Sequence, residues 1–516
     1  MAKNIVLDAL IPREDFEVED DTSGTTRNVG TIGARDLEYD SFFFSALRKP
    51  DFQRETNEWD AKRIVSLIES FISGDLIPAI ILWRSASSYT FVIDGAHRLS
   101  ALSAWINNDF GDGDISKTFY DGVIPEEQIL ASENTRKSVR RHIGLYSDYK
   151  LALRNPEKVE PQIAEKAKSL GALAIQVQWV EGDAKKAESS FFKINQQAAS
   201  IDKTELKLLK SRRKPAGIAT RAILRSGKGH KYWSSYGEEV QKEIQNLAEE
   251  INEIIFQPSL KNPIKTLDLP VGGKNFSSQG QSLILELVNK TNDAEKTNID
   301  NDADGHQTIK YLRKCLKVVR RLNSVHPSSL GLHPAIYFYS KDGRHKPASF
   351  WAAIDFIQEL EKNNKFDWFT DVREDFERFL QSHDYLIQQI VRKYRSAAAA
   401  YPQITELYFL VAELIREGCS LDELPKLIKS NGNFTYTTLS NESGEEIISK
   451  DFSREKKSEV YIREAVESAI KCSICRGLLH RNAITIDHIN RKQDGGLGTS
   501  DNGQLAHPYC NSTYKN

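Results

Sequence analysis

Nowhere do the 516 residues offer an apolar run long enough to cross a bilayer, and the opening Met1-Ala2-Lys3-Asn4 leads into an acidic stretch, not a secretory leader. A membrane anchor is not expected, and a soluble, cytoplasmic protein is. Cysteine is scarce. Of the five, Cys315 and Cys419 stand alone in helical-looking runs, and three crowd into the C-terminal tail. That usage excludes a disulfide framework and fits a reducing compartment with a metal site. Cationic excess is missing too: the formal net charge is -2, so any contact with nucleic acid has to come from a local patch. No internal repeat is visible. The length suggests about three domains.

What is there concentrates in the tail. Cys472-Ser473-Ile474-Cys475 forms one C-x-x-C knuckle, and His507-Pro508-Tyr509-Cys510 forms an H-x-x-C knuckle at the same spacing. Three thiolates and an imidazole make a closed tetrahedral set suited to structural zinc. A module this small cannot bury a core of its own, so a metal staple makes physical sense. Between the knuckles, Ala483 to Ile489 is a β-favouring run that carries Asp487-His488, and Gly495-Gly496, Asn502 and Asn511 follow. Asp487 and His488 should point to opposite faces of a strand. Both can serve one site only if the strand bends or ends there.

This tail resembles the HNH, or ββα-metal, endonucleases. The resemblance implies that His488 is the general base, that Asp487 and Asn511 ligate a catalytic Mg²⁺ or Mn²⁺, and that Asn502 braces the loop and orients the base. The chemistry fits without the family: phosphodiester hydrolysis needs a base near neutral pKa and a hard cation held by oxygen. The competing reading is a zinc ribbon that only binds, which has no need of Asp487, His488 and Asn511. The segment Lys456 to Asn516 carries nine Lys/Arg against six Asp/Glu, a modest local bias suited to DNA.

At the other end, Asp60 is placed to cap a helix with Ile64, Leu67, Ile68 and Phe71 at helical spacing, and Gly74 to end it. Ile77 to Leu82 and Tyr89 to Ile93 read as strands. The second runs into Asp94-Gly95-Ala96-His97-Arg98, and Leu99 to Trp105 then looks helical. A strand that ends in Asp-Gly and opens a helix can bind an anion, with backbone amides aimed at the ligand and Arg98 able to fork a phosphate. An ordinary turn and surface ion pairs are the plainer reading. Together with Phe52-Gln53-Arg54, Trp59 and Ile77-Pro78, this block resembles the ParB/sulfiredoxin-like domain at the N-terminus of GmrSD-type and SspE-type restriction proteins. A second matching block is Phe191-Phe192-Lys193-Ile194-Asn195, expected as a turn, followed by Ser200 and Thr204-Glu205-Leu206; Asp202 with Glu205 also reads as a capping box. The resemblance implies nucleotide binding through Gln53, Arg54, Asp94, Gly95, His97 and Arg98. The family's DGQxR-like signature has Gln where this chain has Ala96.

The chain between these ends reads as mainly helical. Two basic stretches are candidate phosphate trackers or solvated helix faces: Lys203 to Lys231, and Ile309 to Leu322 with Leu312, Leu316 and Val319 facing inward. Tyr385 to Ala400 reads as one amphipathic helix. The expected class is α+β: a lead over 1–34, a ParB-like α/β domain over 35–215, a helical domain over 216–429, a linker over 430–455 and a zinc-stapled HNH nuclease over 456–516. The expected function is a DNA endonuclease for defence, gated by a nucleotide- or modification-sensing N-terminal domain. Its expected partners are foreign or modified DNA, a nucleoside triphosphate and another copy of itself. A non-cutting DNA-binding regulator and a nucleotide hydrolase with a zinc clamp are the alternatives.

Overall fold

The computed structural model describes residues 4–514 apart from 15, 17–27, 52, 54–55, 57–58, 86–88, 121, 123, 199–202, 229, 276–277, 295–299 and 440–450. Helix and sheet are mixed, and the chain forms two compact units: Met1–Arg212 with Lys228–Tyr232, and Arg213–Gly227 with Trp233–Asn516.

The first unit is built on a six-stranded sheet in the order β1-β3-β5-β4-β6-β2. Its strands are β1 (Arg13–Glu14), β2 (Thr31–Gly33), β3 (Leu47–Pro50), β4 (Ile80–Arg84), β5 (Thr90–Asp94) and β6 (Ala174–Trp179). β5 pairs parallel to β3 and antiparallel to β4, with Leu82 opposite Val92. Phe91, Val92 and Ile93 are all buried, as expected of a strand covered on both faces. β4 begins three residues later than Ile77, since Pro78 has no N–H to give a ladder. Helix α1 (Ala61–Ser73) starts where Asp60 accepts a hydrogen bond from the Arg63 N–H at 2.9 Å, and ends at left-handed Gly74. Its buried stripe, Ile64, Val65, Ile68, Phe71 and Ile72, faces the core. Helix α2 (Ala96–Ile106) is buried from Leu99 to Ile106.

The block Phe191 to Asn195 is not a turn. It lies inside helix α3 (Ala184–Ala198), where Ala184, Ala187 and Phe191 recur at helical spacing and pack on Trp83, Phe91 and Ile93. Thr204 to Leu206 lie in helix α4 (Lys203–Lys210). Ser200 and Asp202 lie outside the described residues.

The second unit is helical up to its tail: α5 (Pro215–Leu224), α6 (Glu238–Phe256), α7 (Ser278–Asn292), α8 (His306–Leu322), α9 (Pro347–Lys362), α10 (Phe366–Ser382), α11 (Asp384–Tyr394), α12 (Ala397–Arg416) and α13 (Arg454–Glu467) are its main helices. Leu312, Leu316 and Val319 of α8 are buried as their spacing requires. Four cations of α8 are engaged in ion pairs: Arg313 pairs with Glu243, Lys317 and Arg321 with Glu361, and Arg320 with Glu250. The other basic stretch is also largely committed, with Arg221 and Arg225 buried and Arg212 paired to Asp51 and Glu188. Tyr385 to Ala400 is two helices, because Arg395 takes a left-handed backbone (φ 62°) and Ser396 caps α12. Beyond α12, Phe434 and Thr437 are buried and Thr438 exchanges two hydrogen bonds with Gln389 of α11.

Candidate metal centre and nuclease site

The tail folds as a hairpin over a knuckle. β7 (Thr485–His488) pairs antiparallel with β8 (Gly503–Ala506), setting Asp487 opposite Gln504 and His488 opposite Gly503. β7 ends at His488, the residue after Asp487. Asp487 is buried, and its Oδ2 accepts a hydrogen bond from Gln504 Nε2 at 2.7 Å. His488 is half-buried. Asn502 ties the connecting loop together. Its Oδ1 accepts from the Asn490 N–H at 2.7 Å, and its Nδ2 donates to Asn490 O at 3.1 Å and Leu497 O at 2.8 Å. Asn511 comes back to the same strand, where its Nδ2 donates to Thr485 Oγ1 at 3.3 Å and Ile486 O at 3.2 Å.

Behind the hairpin, Cys472, Cys475, His507 and Cys510 are all buried, and their ligand atoms lie within 4.8 Å of one another. Tetrahedral zinc with bonds of about 2.3 Å sets sulfurs ~3.8 Å apart, so the spacing fits. The His507 ring is oriented for the task. Its Nε2–H donates to Leu478 O at 3.0 Å, which leaves Nδ1, 3.3 Å from Cys475 Sγ, as the ligand atom. Burial holds its pKa below the ordinary value and keeps the ring neutral. Hydrogen bonds from the Cys475 and Cys510 thiols hold the Cys472 thiol far below its ordinary value, and donating to Cys472 pushes the Cys475 thiol up to about 12. The chemistry and closeness of the four ligands suit a metal ion such as zinc.

This module is seated on the helices of its own unit. The Tyr509 hydroxyl donates to Asp367 Oδ1 at 2.7 Å and the Tyr514 hydroxyl to Asp371 Oδ1 at 2.6 Å, both on α10. The Leu478 N–H donates to Glu377 Oε2 at 2.9 Å, and the Tyr509 N–H to Ser329 O at 3.0 Å.

In the first unit, Asp94 closes β5 and Gly95 takes φ 99°, in the left-handed region, before α2. A Cβ there would collide with Ile80 Cδ1, so both the φ and the space call for glycine. Asp94 Oδ2 and Arg98 Nη2 pair at 2.8 Å, and the same Nη2 donates to Ala79 O at 3.3 Å. The His97 ring packs against Trp59 with centroids 5.8 Å apart. Gln53 is buried, and its carbonyl accepts from Arg13 Nη1. Arg54 lies outside the described residues. The turn therefore gathers Asp94, Gly95, His97 and Arg98 at the C-terminal end of β5.

Comparison with known families decides the identity. The model for "GmrSD restriction endonuclease, N-terminal domain" matches residues 38–454, and the model for "HNH endonuclease" matches residues 472–516. The chain belongs to the GmrSD restriction endonuclease family. No curated protein and no solved structure matches it. A single GmrSD match spans both the sheet unit and the helices that follow, and the HNH match begins at the first ligand cysteine. The protein is accordingly a GmrSD-type DNA endonuclease whose hydrolase module is the HNH tail. Two residues at this GmrSD-family site, one in the tail and one on α10, escape a reading of motifs. Gln504 is found only from the β7–β8 register, and Arg373, which touches His507, carries no motif at all.

Proposed function

We propose that the hairpin and the Cys/His cluster work as an HNH site. His488 takes the proton from a water molecule whose oxygen attacks a DNA phosphorus. The 3′ oxygen leaves as the new bond forms. Asp487 and Asn511 would hold Mg²⁺ or Mn²⁺, which supplies charge stabilisation at the phosphate. Cys472, Cys475, His507 and Cys510 hold structural Zn²⁺, and Asn502 braces the loop beside the base. The observation that carries this reading is the end of β7: Asp487 is oriented by Gln504, His488 closes the strand, and Asn511 is bonded back to Ile486. A clamp that only bound DNA would need none of the three.

The ParB-like first unit acts as the sensor of a nucleoside triphosphate or of a DNA modification, through Gln53, Arg54, Asp94, Gly95, His97 and Arg98. Support comes from the strand-glycine-helix turn, which places Asp94 and Arg98 together at the N-terminal end of α2, a setting in which free backbone amides favour an anion. Two assays test the two halves. Asn511→Ala should lose DNA cleavage and regain part of it at raised Mg²⁺ or Mn²⁺; full activity at ordinary Mg²⁺ would contradict its role as a ligand. Asp94→Ala and Arg98→Ala should weaken nucleotide binding with the fold intact, and unchanged affinity in both would remove the sensor reading.

A further inference from the structure

Arg373 sits in the middle of α10, far in sequence from the tail, yet its side chain is only 1% exposed. Every direction of its guanidinium is used. Nε donates to Glu377 Oε1 at 2.7 Å, Nη1 to Leu330 O, and Nη2 to Gly331 O at 3.0 Å. Glu377 is fixed in turn by the Tyr337 hydroxyl at 3.1 Å and by the Leu478 N–H at 2.9 Å. So anchored, Nη1 stands 3.4 Å from His507 Nδ1, the ring nitrogen that also faces Cys475. Two glycines, one beside the knuckle and one in the loop after α8, make room for this approach. A Cβ on Gly477 would lie 2.5 Å from Arg373 Nε, and one on Gly331 would lie 2.5 Å from His507 Cδ2.

A buried cation needs a reason to stay charged. Glu377, whose Oε1 accepts from the Arg373 Nε–H at 2.7 Å, supplies one. The need is mutual. Three thiolates around one divalent ion leave a buried unit with one negative charge in excess, in a region where little water screens it. A guanidinium against the ligand set offsets that excess, and outer partners of this kind alter metal affinity by about 10–100-fold.

We infer that Arg373 is a positioning and charge-compensating residue of the tail's metal site, contributed by the helical part of the second unit. This rests on the metal reading of the Cys/His cluster. Metal retention by the nuclease module therefore depends on α10 and not on the tail alone. The role needs a cation at this place; packing by itself does not fulfil it.

The test uses the full chain, zinc as the probe and a chromogenic chelator as competitor, with circular dichroism as the check of folding. The parent should hold one zinc per chain. Arg373→Met keeps length and apolar packing but removes the charge, and should lower zinc affinity about 10-fold or more. Arg373→Lys keeps the charge and should lose no more than about threefold. A parent without zinc would remove the metal reading itself. A parent that holds zinc, with Arg373→Met equal to it, would overturn only the role of Arg373. Equal losses in the Met and Lys variants would mean packing and not charge, which also overturns it. Should Arg373→Met not fold, Arg373→Lys decides alone: a loss within about threefold supports the inference, and a larger one contradicts it.

Discussion

Asp487 and His488 are neighbours, and β7 stops at the second of them, which allows both to serve the proposed site. The loop that follows owes its shape to Asn502, which makes three hydrogen bonds across it. Each is worth about 0.5–1.5 kcal/mol net, so Asn502→Ala should slacken the loop without unfolding the tail. Cleavage should fall about 10-fold while zinc content and circular dichroism stay at the parent's values; parental cleavage rates would show that the loop needs no brace. These residues were legible in the sequence because their signals are local: two x-x spacings, an Asp-His pair and a trailing Asn. Gln504 was not, since its role depends on a strand register, and Arg373 was not, since its contacts cross more than a hundred positions. A simpler residue-scale effect is the cap on α1. Asp60→Ala removes an acceptor for the Arg63 N–H and should cost about 1 kcal/mol of stability, read as a lower denaturant midpoint with unchanged slope.

Elements were read well where one face is buried and poorly where tertiary contacts override local pattern. The α1 stripe and its two ends follow from Asp60, the apolar spacing and Gly74. The Phe191 block became helix because Phe191 completes a buried stripe with Ala184 and Ala187. Tyr385 to Ala400 broke at Arg395, a position whose left-handed backbone no glycine announced. Basic helix faces left two readings open in the same way. Arg313 and Arg320 of α8 meet acids from α6, and Lys317 and Arg321 meet Glu361 of α9, partners that a single helix does not reveal. A pH-dependent element lies beside α9. Burial pushes His345 down to about 4, and its Nε2–H donates to Val271 O at 3.0 Å. Its unfolded value is near 6.5, so the unfolded chain binds the extra proton first. Stability from this group is complete above about pH 6.5 and is lost as pH falls toward 4. His345→Gln keeps a donor and does not titrate. Its melting temperature should therefore fall less than the parent's between pH 6.5 and 4, and parallel falls would show that His345 contributes nothing.

At the scale of the molecule, a GmrSD-family sheet unit and a helical unit share one chain with an HNH tail, and the tail is bonded into the helices of its own unit. Asp367, Asp371 and Glu377 of α10 all receive hydrogen bonds from it. Cys472→Ser or Cys510→Ser should abolish metal binding and lower the unfolding transition of the second unit, since the tail is hydrogen-bonded to α10; an unchanged melt in a protein shown to lack metal would contradict this. The central claim is hydrolysis of DNA by the imidazole that ends β7. Its most direct test is cleavage of matched modified and unmodified DNA with Mg²⁺ and a panel of nucleoside triphosphates, run on the parent and on His488→Ala. The account predicts that the parent cuts and that His488→Ala, with fold, zinc and DNA binding intact, is slower by about 10²-fold or more. A His488→Ala protein that cuts at the parent's rate, free of contaminating nuclease, would contradict it.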